Sequence, residues 1–192
     1  MNVKRDTTKT IVLGAILTAL VVILQLMGSV IRFGPFSISL VLVPIVLGAA
    51  LCNTAVSTWL GFVFGVVVLI TDSAAFMAVS ALGTILTVLL KGMACGFAAG
   101  VVYKLVSGKN KYLAVVAASV VCPIVNTGVF VLGSIVFFMD TIASWGVGEG
   151  YDNAFAYLFL GMIGLNFIAE LVSNIVLSPV IVRLLNINKN KL

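Results

Sequence analysis

The chain has 192 residues, of which 62% are hydrophobic and only 9% charged, with eleven Lys/Arg against six Asp/Glu and no histidine. About a quarter of a soluble domain is charged, so the composition excludes one and predicts an all-α integral membrane bundle, read as a single domain over residues 1–192. The net charge of +5 then reads as a topology signal, with no nucleic-acid partner and no cofactor expected.

Apolar runs separated by short polar breaks lie at Thr10–Met27, Phe36–Cys52, Ala55–Ile70, Ala81–Val106, Tyr112–Met139 and Ala154–Leu185. A span needs about 20 residues, so the second and third runs are short. They form either two thin or tilted helices around the break Cys52-Asn53-Thr54 or one re-entrant pair; two helices are favoured, giving six transmembrane helices. The first run lacks a small-residue cleavage site and is followed by further spans, so a cleavable signal peptide is not expected.

Lys4, Arg5 and Lys9 precede the first span, Lys104, Lys109 and Lys111 lie between the fourth and fifth, and Arg183, Lys189 and Lys191 follow the sixth. Nine of the eleven basic residues thus share one side, which the positive-inside rule makes cytoplasmic, together with both termini. Asp72, Asp140, Glu149 and Asp152 fall on the other side. The outer connections are Gly28–Phe36, Thr71–Ala81 and Asp140–Asn153, the last either a lid or a solvated link. No internal repeat of the kind that marks two-fold transporters is visible.

Within the first span, Ala15 and Ala19, backed by Gly14 and Thr18, form a small-xxx-small pair that lets another helix approach closely. Internal packing and docking of a partner helix are both open. Arg32 follows in Arg-Phe-Gly-Pro-Phe, outside the positive-inside pattern. Either it binds lipid phosphate, or it turns inward and offers its guanidinium fork to a carboxylate.

Lys91 lies about nine residues into the fourth span, roughly 13 Å down, where it either snorkels outward or faces the bundle interior. On the fifth span, Asn126 follows Pro123 together with Thr127 and Gly128: either a local repair of the proline kink, with glycine leaving a gap for close approach, or part of a site. On the sixth, Asn166, Glu170 and Asn174 recur every four residues and share one face, as interhelical glue or as a site. Charged and amide side chains are costly in a membrane and usually face a cavity. Lys91, Asn126, Asn166 and Glu170 therefore describe a small polar pocket opening outward, and with Arg32 they favour a ligand bearing a negative group. Glu170 either pairs with Lys91 or receives a ligand hydroxyl.

Cys52, Cys95 and Cys122 sit in apolar segments without metal-ligand spacing and read as packing residues; no metal site is expected. Phosphate-loop, serine-hydrolase and zinc-protease motifs are absent, so no enzymatic activity is expected.

Length, six spans with both ends inside, Ala-Ile-Leu-Thr-Ala at 15–19 and Phe33–Cys52 (FGPFSISLVLVPIVLGAALC) together resemble the substrate-binding S component of energy-coupling factor (ECF) transporters, over almost the whole chain. The resemblance implies a multi-pass subunit of a prokaryotic plasma membrane that binds a water-soluble vitamin and works with a membrane-embedded T component and two ATPases. It makes Ala15 and Ala19 the surface that docks on the T component. It turns the first outer loop into a lid, with Arg32 on the ligand's polar end and Phe33 or Phe36 closing over it. The first two spans, CPIVNTGVF and the sixth span look most like S components assigned to pantothenate; lipoate and riboflavin are the alternatives. Two readings of other classes are a self-sufficient secondary transporter or channel and a structural or assembly membrane protein without a ligand.

Overall fold

The computed structural model describes residues 2–30, 32–33, 36–37 and 40–189, with side chains described over 7–29 and 40–186. Helix α1 (Asn2–Val30) leads into a hairpin whose strands β1 (Arg32–Phe33) and β2 (Phe36–Ser37) pair antiparallel, Phe33 opposite Phe36. Then come α2 (Leu42–Leu51), α3 (Thr54–Thr71), α4 (Ala74–Val79), α5 (Ala81–Ser107), α6 (Lys111–Phe137) and α7 (Met139–Gly148). The last helical stretch runs from α8 (Ala154–Ala156) through a π-helical segment (Tyr157–Ile163) into α9 (Gly164–Lys189).

Several of the polar breaks between apolar runs are helix starts. The side chain of Asn53 accepts a hydrogen bond from Val56 N, that of Ser80 from Gly83 N, that of Asn110 from Tyr112 N and Leu113 N, and that of Asn153 from Ala156 N. Each supplies an acceptor to backbone donors that the first turn leaves unpaired.

Among the described residues, five helical stretches are long and apolar enough to cross a membrane. The run at Phe36–Cys52 departs from expectation, because only its second part is helical. Ten residues of α2 rise about 15 Å, half of a hydrocarbon core of about 30 Å. The hairpin precedes it, with β2 lying against α1 and α9. α2 is apolar all round because it is surrounded: Leu42, Ile45 and Val46 have no exposed surface, and α1, α3, α5, α6 and α9 all touch the helix.

The outer connections also differ from simple links, since 74–79 and 139–148 form α4 and α7. Their apolar residues explain this. Ile142 of α7 is buried with Phe138, Leu158 and Ile163, and Phe76 of α4 packs onto that cluster.

The α3–α5 contact is built on glycine. Ser57, Gly61 and Gly65 of α3 meet Val88, Gly92, Gly96 and Gly100 of α5 so closely that a methyl placed on Gly61 would overlap the carbonyl of Gly92, and one on Gly96 that of Ser57. The Ser57 hydroxyl donates to Gly96 O at 2.8 Å across the same seam. Small residues of this kind let two backbones approach where lipid offers no hydrophobic drive for helix association. The Cys95 thiol donates to Gly92 O within α5, and Cys95 and Cys122 are fully buried, in keeping with packing roles.

Candidate functional site

The α3–α5 seam fixes the position of Lys91, the neighbour of Gly92. Its ammonium sits over two aromatic faces, 5.6 Å from the ring centre of Phe64 on α3 and 5.3 Å from that of Phe130 on α6. Cation–π contacts of this length hold a cation without neutralising it.

Opposite, α9 presents Glu170, only 3% exposed. Asn126 Nδ2 of α6 donates to Glu170 Oε2 and Asn166 Nδ2 to Glu170 Oε1, both at 3.5 Å. One turn further on, Asn174 Nδ2 donates to the Glu170 backbone carbonyl at 2.9 Å. The three polar residues of α9 therefore do share a face, but Asn174 anchors the backbone while Asn166 reaches the carboxylate. Between Lys91 and Glu170, both described residues, no ion pair closes within 4 Å.

Lys91, Asn126, Asn166 and Glu170 line one cavity of about 140 Å³. Its other walls are Thr127 and Phe130 of α6, Met162 and Ile163 of the π-helical segment, and Phe167 of α9. A π-turn widens the local helix and often marks a functional site; here it turns Met162 and Ile163 into the cavity wall. Above Phe130 the outer helices close an aromatic cluster. Phe76 of α4 meets Phe130, Phe138 and Trp145 of α7 edge-on, with ring centres 6.0, 5.0 and 5.3 Å apart.

Four of the predicted site residues are thus brought together. The side chains of Arg32, Phe33 and Phe36 lie outside the described ones, so only their backbone is placed, in the hairpin before α2. Gly128 is a correction: it is exposed, with nothing within 4 Å of where a methyl would project, so it provides no close approach. Asn126 turns its amide to Glu170 and is not spent on the Pro123 kink. The aromatic cradle of Lys91 has no counterpart among the sequence expectations. Phe64 stands just before Gly65 on α3 and Phe130 four residues after Asn126 on α6, and neither spacing sets them apart from the other apolar residues of their helices.

On α1, Ala15 and Ala19 are both exposed, while Gly14 faces Val56 of α3. The small stripe is thus split. Gly14 serves the internal contact, and Ala15 borders a surface groove with Val56 and Trp59, whose indole donates to the Thr18 hydroxyl at 3.2 Å.

A family model described as ECF transporter, substrate-specific component, matches residues 9–182, nearly all of the chain. The chain belongs to that family. No curated protein and no solved structure matches it. As a substrate-specific component it is a multi-pass cell-membrane protein and part of a transporter, not an enzyme. Membership implies a small-molecule substrate and partners in a membrane-embedded T component and ATPases.

Proposed function

We propose that this S component captures a small water-soluble vitamin, the anion pantothenate before the anion lipoate or the uncharged riboflavin, in the cavity between α5, α6 and α9. The observation that carries the reading is the Lys91 ammonium, held over Phe64 and Phe130 and left without a carboxylate partner within 4 Å at the wall of a polar cavity. A half-buried cation with no carboxylate within 4 Å is a natural seat for a ligand carboxylate. Arg32, in the hairpin, is proposed to meet the ligand's polar end, with Phe33 or Phe36 as cover.

At about 140 Å³ the cavity is smaller than the roughly 300–1,000 Å³ of most ligand pockets. Entry therefore involves movement of its walls, for which the unbranched Met162 and the π-helical segment are suited. Six crossings with both termini in the cytoplasm, α2 completing one of them with the hairpin, put this end of the bundle outside. The loaded subunit docks through Ala15 and Ala19 on the T component, topples in the membrane and releases its ligand inward, driven by two ATPases. Isothermal titration of the detergent-solubilised protein with pantothenate tests the reading: saturable binding that Lys91→Ala weakens supports it, and no binding by wild type contradicts it.

A further inference from the structure

Two acceptors at the cavity lack a donor. Among the described residues, Asn126 Oδ1 and Asn166 Oδ1 are buried and take no hydrogen bond from any protein group. With Glu170 ionised, turning either amide around would set its carbonyl oxygen against a Glu170 oxygen, so each gives its N–H to the carboxylate and is left with a bare carbonyl. Glu170 itself has capacity to spare: two carboxylate oxygens accept about four hydrogen bonds, and the two amide bonds they receive are at the long limit of 3.5 Å. Among the described residues no lysine or arginine lies within 4 Å of its carboxylate. Buried acceptors are normally satisfied, and these two belong to residues that line a cavity, where a ligand can bring donors to them.

Resting on the reading of this cavity as the vitamin site, we infer that the ligand is bipolar in hydrogen bonding: hydroxyl or amide N–H groups face Asn126, Asn166 and Glu170, and a carboxylate faces Lys91. The class is a hydroxylated or amide-bearing monoanion. A donor-poor anion, such as a carboxylate on an alkyl chain, satisfies Lys91 but leaves the two amide carbonyls buried and unpaired. Pantothenate, with two hydroxyls and an amide N–H at a distance from its carboxylate, fits the class. Lipoate, whose ionised form has no N–H or O–H, does not. Sites that hydrogen-bond a ligand donor reject analogues lacking it far more strongly than apolar pockets reject a change of size.

The test is a pair of titrations on the solubilised full chain, pantothenate and lipoate as probes, with wild type and Asn126→Leu. Expected is a preference of wild type for pantothenate by more than about 100-fold, narrowed at least tenfold in Asn126→Leu because the apolar side chain removes an acceptor that only the donor-bearing probe uses. The wild-type ratio stands by itself should the variant fail to fold. Lipoate binding as tightly as pantothenate, or a ratio that Asn126→Leu leaves unchanged, overturns the inference while the vitamin-binding reading survives. A wild type that binds neither probe also overturns it, and a wider vitamin panel then decides the subunit reading separately.

Discussion

Gly61 of α3 and Gly92 of α5 meet backbone to backbone, each occupying the space that a side chain on the other would need. This contact carries Lys91 on its edge, so the same seam that holds two spans together sets the depth and direction of the half-buried cation. Gly92→Ala and Gly61→Ala are expected to force the helices apart. Overpacking of this kind costs about 1–3 kcal/mol, to be read as a lowered unfolding temperature of the solubilised protein. Gly128→Ala, with open space around it, is the matched control and should leave that temperature unchanged or slightly raised.

Lys91→Met keeps length and apolar contact and removes the charge. If the ammonium faces a ligand carboxylate, the loss is that of a charged hydrogen bond, about 1.5–3 kcal/mol, or roughly 10- to 150-fold in Kd. Stability should change little, since a costly charge within the membrane is removed together with its Coulombic attraction to Glu170. A variant that binds normally but unfolds readily would instead make Lys91 a scaffold residue.

Phe76 of α4 ties Trp145 of α7 to Phe130, a wall of the cavity. Phe76→Ala should speed ligand dissociation more than it slows association, because edge-on ring pairs worth about 0.5–1.5 kcal/mol each are lost from the cover and no direct ligand contact is removed. Stopped-flow fluorescence of Trp145 and its fellow tryptophan, Trp59, follows both rates.

Ala15→Trp and Ala19→Trp place bulk on an exposed stretch of α1. They are expected to abolish uptake by the assembled transporter and to leave vitamin affinity of the isolated subunit within about twofold, since surface substitutions away from a site are usually within ±0.5 kcal/mol. Uptake that persists in both variants would move the docking surface elsewhere.

Much of this is legible in residue order because lipid makes polar residues expensive. Five long spans follow from apolar length alone, and the convergence of Lys91, Asn126, Asn166 and Glu170 follows from their cost in a membrane. The second span is misleading because apolar length cannot distinguish a helix facing lipid from one buried among neighbours; Leu42–Leu51 is as apolar as a span and half its length. The outer helices α4 and α7 are hidden by small and polar residues that read as connections, although Phe76, Ile142 and Trp145 are the residues that fold them onto the cavity. The glycine seam does have a signal, Gly61-x-x-x-Gly65 and Gly92-x-x-x-Gly96-x-x-x-Gly100, a longer small-residue pattern than that of Ala15 and Ala19. The aromatic cradle of Lys91 has none, since which of twelve phenylalanines meets a lysine depends on helix rotation.

Mass spectrometry of small molecules that survive purification with the solubilised protein asks whether the cavity binds a vitamin. A vitamin-binding cavity retains a stoichiometric vitamin carrying a carboxylate, lost from Lys91→Met, and that is the expected result. An empty protein that no vitamin stabilises would contradict it and leave Asn126, Asn166 and Glu170 as interhelical glue.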